Sequence, residues 1–139
     1  MDNRTDDLLK IRLGVKTSTL NNNMSPGEYF QNATLRPAIK FQNELLIEGF
    51  KNYIKKHKNV FHNLSTDKKL HYIENAIQRD VKFRNSLKGM VIGVFSLVEY
   101  KQYIQDSSAL NKRMMNIVIE RLKDNVLLFE YPENLSKAG

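Results

Sequence analysis

The sequence predicts an all-α fold, a single compact domain of about four to five helices, orthogonal or bundle-like. Three observations predict it: apolar stripes at helical spacing, Ser- or Asp-led caps in front of them, and no turn-bounded alternating segments of the kind that form strands. With 139 residues, 41% of them hydrophobic, the chain is long enough to close one core. It holds no cysteine, so disulfides, thiolate metal sites and cysteine nucleophiles are excluded by counting.

Residues 1–24 mix charges and three consecutive asparagines with few apolar side chains. That is too little apolar surface to offset the entropy of ordering, so the segment reads as a flexible arm. The helical domain is expected over residues 25–130. The first helix starts at the capping box Ser25-Pro26-Gly27-Glu28 and ends or kinks around Asn32 to Arg36, because Pro37 removes a backbone donor.

From Pro37 onward Leu35, Ile39, Leu46, Phe50 and Tyr53 define one stripe, with Lys40, Glu44, Glu48, Lys51, Lys55 and Lys58 opposite. The pattern predicts an amphipathic helix of about five turns ending near His57 to Asn59. Ser65, Thr66 and Asp67 offer caps for the next stripe, Leu70, Ile73, Ile77 and Val81. The stripe then rotates to Phe83, Leu87, Met90 and Val94, which predicts a break near Asp80 to Ser86, with Gly93 closing the segment. Ser96-Leu97-Val98-Glu99 is a second capping box, opening a short helix to about Gln105.

Asp106, Ser107 and Ser108 offer caps for the last helix, read to about Leu128. Its apolar arc, from Leu110 to Val126, spans roughly 200° and predicts a central helix. Tyr131-Pro132 ends the pattern, and residues 131–139 read as a flexible tail.

Charge is the strongest functional signal. The formal net charge is +7, from 22 Lys/Arg against 15 Asp/Glu, and residues 36–93 hold 12 of the bases against 5 acids. The whole excess lies there. Lys51, Lys55 and Lys58 recur on one helix face, Lys56 lies near its apolar edge, and Arg36 precedes them; Lys68, Lys69, Arg79, Lys82, Arg84 and Lys88 extend the patch if the helices are neighbours. Such a surface suits a phosphate backbone of RNA or DNA, although the acids among the lysines also fit an ordinary solvated helix. Tyr53 and Tyr72 sit near the lysines as candidates for stacking on unpaired bases or as plain core.

A polar cluster of Gln31, Asn32, Thr34, Gln42 and Asn43 surrounds Pro37, readable as interhelix hydrogen bonding or as a small recognition site. Gln42 lies within the buried stripe and needs a partner.

Catalytic patterns are weak. His71 and Glu74 stand at i, i+3, the reverse of the Glu-x-x-His order that bundle metal sites use, and occur once. His57 is expected as a partly buried, hydrogen-bonded histidine. There is no G-x-S-x-G elbow and no phosphate loop, and the serines serve as caps. No catalytic residue, metal or cofactor is assigned. Gly89 and Gly93 suggest close approach of two helices. The longest apolar run, Met90 to Phe95 with Leu97 and Val98, is far short of the roughly 20 residues of a membrane span, and the N-terminus lacks a signal-peptide pattern, so a cytoplasmic location is expected.

The stretch from Tyr29 to Leu122, through "FQNATLRPAIKFQNELLIEGFKNYIKKHKNVF", "YIENAIQRDVKFRNSLKGMVIG" and "SSALNKRMMNIVIERL", resembles a family of short uncharacterised proteins from flavobacteria and other Bacteroidetes. Members often carry the label glyoxalase. The resemblance implies, through that label, an enzyme acting on a small carbonyl compound, and it brings no catalytic residues to transfer. The residues themselves favour a small non-enzymatic binding or regulatory protein that associates with RNA, ribosome or nucleoid. The alternative they leave open is a module that forms a homodimer or docks a protein partner through the broad arc of the last helix.

Overall fold

The computed structural model describes residues 3–12 and 23–129. In chain order these form α1 (Asn3–Arg12), α2 (Pro26–Phe30), a π-helical turn (Gln31–Leu35), α3 (Arg36–Phe41), α4 (Asn43–Lys56), a 3-10 turn (Val60–Asn63), α5 (Thr66–Arg79), α6 (Val81–Ile92), α7 (Leu97–Tyr103), α8 (Ser107–Asp124) and a final 3-10 turn (Val126–Phe129). The described residues contain no strand, and the fold is all-α in a single compact domain. None of their helices is long and apolar enough to cross a membrane.

Side-chain caps set four of the eight α-helix starts among the described residues. Ser25 Oγ accepts the Glu28 amide at 3.1 Å, Ser65 Oγ that of Lys68 at 3.4 Å, and Asp80 Oδ1 that of Phe83 at 3.1 Å. Asp80 therefore makes the expected break, ending α5 and opening α6. Ser96 and Glu99 form the full reciprocal box, Glu99 N–H to Ser96 Oγ at 3.1 Å and Ser96 N–H to Glu99 Oε1 at 2.8 Å. Asp106 makes no side-chain cap, and α8 stops at Asp124, with a 3-10 turn in place of its expected last turn.

α8 is the central helix its arc predicts: Leu110, Met114, Met115, Val118, Ile119 and Leu122 are all buried, and it packs on α3, α4, α5 and α6. The arc is thus largely consumed in the chain's own core. Below α8 the core gathers around Phe50, fully buried, whose ring meets Tyr53, Phe61, Tyr72, Phe83 and Phe129 at centroid distances of 5.0 to 6.3 Å. Burying that many edge-to-face and offset ring pairs fixes how α4, α5 and α6 meet.

Three expectations are corrected. Residues 3–12, read as part of the arm, form a docked helix. Its inward face carries Arg4, Leu8 and Arg12, at i, i+4 and i+8, of which Arg12 is buried and Leu8 partly so, and the arginines reach tertiary acceptors that the local sequence does not reveal. Arg4 donates to the Gly93 carbonyl at 2.7 Å and to that of Phe95 at 3.3 Å, and Arg12 donates to that of Val94 at 3.2 Å. Arg12 also holds Glu99 with two parallel bonds of 2.7 and 3.0 Å. The remainder of the expected arm, residues 1–2 and 13–22, and residues 130–139 of the expected domain end and tail lie outside the described residues.

The first helix kinks where expected rather than stopping: α2 gives way to the π-helical turn Gln31–Leu35, just before Pro37. The Arg36 N–H bonds the Gln31 carbonyl, an i to i−5 step, so the backbone widens one residue before the missing proline donor and the chain continues as α3. The long helix expected after Pro37 instead breaks at Gln42, with φ −90° and ψ 7°. There the amide finds its partner: Gln42 Nε2 donates to the Met90 carbonyl at 2.9 Å, one of the last carbonyls of α6, which have no partner within the helix. The Gly89 and Gly93 reading also fails. A Cβ built on Gly89 meets nothing within 4 Å, whereas Gly49 faces the Met90 and Leu87 side chains.

Candidate functional site

At the end of α4 the chain turns back through a motif that normally ends in glycine. Lys58 N–H bonds the Lys55 carbonyl at 3.2 Å and Asn59 N–H bonds that of Ile54 at 3.0 Å, with Lys58 at φ 63° and Asn59 at φ 60°. Asparagine tolerates this left-handed geometry, but lysine carries a Cβ penalty there. Lys58→Gly is expected to raise stability by about 0.5–1 kcal/mol, read as a higher melting temperature. A lower one would count against this account of the turn.

This turn exposes Lys55, Lys56, His57 and Lys58 beside the junction of α5 and α6. Between them lies an open cleft of about 640 Å³ lined by Tyr53, His57, Tyr72, Asn75, Arg79 and Lys82, together with Ala76, Asp80 and Val81. Arg79 sits on the last turn of α5 and Lys82 on the first turn of α6, so the Asp80 break itself delivers both cations to the same rim.

The floor is a column of stacked rings. Phe83 and Tyr53 stack at 4.2 Å between centroids with planes 29° apart, and Tyr53 and His57 at 4.1 Å and 34°. Tyr53 is covered on both faces, and His57 stands exposed at the end of the column. The expectation of a partly buried His57 is therefore corrected. Burial, the neighbouring Asp80 charge, Tyr72 and a hydrogen bond to Asp80 push the Tyr53 hydroxyl up to about 12, which keeps it a neutral donor. Asp80, the carboxylate in the lining, accepts from Tyr53 and from the Phe83 amide.

The structure sorts the other sequence candidates. Lys69 is buried, 5% exposed, with its ammonium 5.5 Å from the centre of the Phe61 ring, so it is removed from the outer surface. It stands four residues before Ile73 and seven before Ala76, on the buried stripe of α5. Lys68 lies in the first turn of α5, at the opposite end of that helix from Arg79. Lys51 lies 3.5 Å from Glu48, and Arg36 donates to Asn32 Oδ1 at 3.1 Å. Arg84 donates to the Gln78 carbonyl at 2.6 Å, closing α5, and lines a separate groove with Lys112 on α8; Lys88 is half-buried along α6.

The residues around Pro37 do not converge on a ligand site, because most of them bind other parts of the protein. Gln31 Oε1 accepts from Arg113 at 2.9 Å, Asn32 is held by Arg36, Thr34 Oγ1 donates to Glu99 Oε2 at 2.9 Å, and Gln42 holds Met90. Asn43 Oδ1 is buried with no hydrogen bond. Gln31, Thr34 and Gln42 thus make hydrogen bonds to other helices, as the interhelix reading of this cluster expects.

His71 is exposed, and its neighbour Glu74 lies 3.6 Å from Lys123. No group of three His, Asp or Glu side chains gathers as a metal site among the described residues. His62 is held toward its neutral form by burial and by the Lys69 charge, opposed by a bond to the Phe129 backbone. The residue that charge counting missed is His57, whose i, i+4 spacing from Tyr53 was the available signal. No family model, curated protein or solved structure matches this chain.

Proposed function

We propose that this protein is a non-enzymatic binding protein that associates with a polyanion, RNA in the first instance, through the exposed cations around the α4 turn and the α5–α6 junction. One observation carries the reading. Arg79 and Lys82, from two different helices, share an open cleft with His57, which is flanked in the chain by the exposed Lys55, Lys56 and Lys58. The Asp80 carboxylate there is engaged by internal donors. Clustered cations release condensed counterions from a phosphate backbone, so the association is expected to weaken steeply with salt.

Electrophoretic mobility shift across a salt series tests it. Replacing both Arg79 and Lys82 by glutamine should flatten the slope of log K against log salt by about 1.4 on single-stranded RNA, at roughly 0.7 for each phosphate no longer neutralised. Lys101→Gln, an exposed cation on α7 outside the cleft lining, should leave the slope unchanged. Absence of any shift at low ionic strength would end the proposal.

A further inference from the structure

We infer that the cleft seats an unpaired nucleobase of a single-stranded nucleic acid, the base continuing the ring column on the exposed face of His57 and its phosphates meeting Arg79 and Lys82. This rests on the polyanion reading and adds which form of nucleic acid is bound and by what.

The column supports it first. Phe83, Tyr53 and His57 form a stack that begins against the core and stops at an exposed imidazole. His57 is both exposed and part of the cleft lining. His57 is held in register by Tyr53, whose ring stacks on Phe83 and also packs against Phe50. The stacking surface is therefore ordered before any ligand arrives, which lowers the entropic cost of binding.

The rest of the lining fits the other parts of a nucleotide. Asn75 is exposed and carries both an amide donor and an acceptor, the pair that a base edge presents in return. Arg79 and Lys82 stand on the rim for the phosphates, and Tyr72 supplies an aromatic wall. The cleft volume of about 640 Å³ lies within the range of small-ligand sites. A duplex keeps its base faces paired and stacked, so it can use the rim cations but not the end of the column.

The test compares a twelve-nucleotide oligoadenylate with an RNA duplex of equal phosphate count, on the full chain at fixed low salt. Wild-type protein is expected to favour the single strand. His57→Ala should lower single-strand affinity by roughly 5- to 150-fold, the loss of one stacked base, and leave duplex affinity within about twofold. His57→Trp should preserve single-strand binding. Because the chain contains no tryptophan, that variant's fluorescence reports the site alone and should be quenched by the oligoadenylate.

Adenosine monophosphate is the second ligand. Quenching by the oligoadenylate supports the strand, whereas quenching by the mononucleotide alone overturns it in favour of a free nucleotide. Equal single-strand affinity in wild type and His57→Ala overturns the base seat while leaving polyanion association intact. Failure of the wild type to bind either RNA removes both. Since His57 is exposed, its variants are expected to fold, and unchanged circular dichroism checks this.

Discussion

Arg12→Ala is expected to cost about 3–5 kcal/mol of stability, because it leaves the Glu99 carboxylate buried without its cation. The two side chains are 6% and 14% exposed and joined at 2.7 Å. Burial alone would push the Glu99 carboxyl up. Against this act the Arg12 hydrogen bonds, the Ser96 amide, the Arg12 charge and the Thr34 hydroxyl, and together they hold it below its usual value.

The sign of the pH dependence follows. A depressed carboxylate contributes stability that is fully present above its unfolded pKa, about 4.3, and is lost as pH falls through the lower folded value. Without Arg12 the effect of burial dominates, so protonation of Glu99 relieves the variant. The deficit between Arg12→Ala and wild type should therefore be largest near neutral pH and shrink on acidification. Urea denaturation at neutral and acidic pH measures it. A double replacement, Arg12→Met with Glu99→Leu, should recover most of the loss, since an apolar pair needs no charge compensation. A deficit under about 1 kcal/mol at neutral pH would mean that the pair behaves like a surface bridge.

Phe50→Ala is expected to cost about 3–5 kcal/mol as well, by a different route: loss of apolar transfer energy plus the cavity left among neighbours that cannot all collapse into it. Five rings surround Phe50, supplied by α4, the Val60–Asn63 turn, α5, α6 and the final 3-10 turn. The same substitution withdraws the ring on which Tyr53 rests. Faster amide exchange through α4 and the α5–α6 junction should accompany the lower urea midpoint. Unchanged exchange there would show that the packing of α4 on the α5–α6 junction stands without Phe50.

The architecture was legible wherever a helix is decided by its own stripe and cap. The Ser96 and Glu99 box, the Asp80 break and the broad arc of α8 are all local or periodic signals, and each appears in the structure as read. Two features were not legible because distant partners decide them. α1 has few apolar residues to announce it, and its arginines bind carbonyls more than 80 positions away in the chain. The break at Gln42 is held by Met90, on another helix.

The candidate site divides in the same way. Tyr53, Tyr72 and the basic residues stood out in the sequence, but the meeting of Arg79 and Lys82 beside His57 depends on how α4 packs against the α5–α6 corner. Lys69 shows the reverse error. Its place on the buried stripe of α5 was visible from its spacing to Ile73 and Ala76, and reading it by charge alone put it on the wrong side of the helix.

Apart from Arg79 on the cleft rim, the two kinds of cation serve different ends in this molecule. Arg4, Arg12, Arg36, Arg84 and Arg113 each donate to a carbonyl, carboxylate or amide within the protein and so act as fasteners of the architecture. The positive field that an approaching partner meets comes chiefly from lysines, among which Lys55, Lys56, Lys58 and Lys82 are exposed. Acylation converts an ammonium into a neutral amide and cannot do the same to a guanidinium at neutral pH. The lysine share of the outward field is therefore open to reversible erasure by lysine modification, while Arg79 and the arginine fasteners beneath it stay closed.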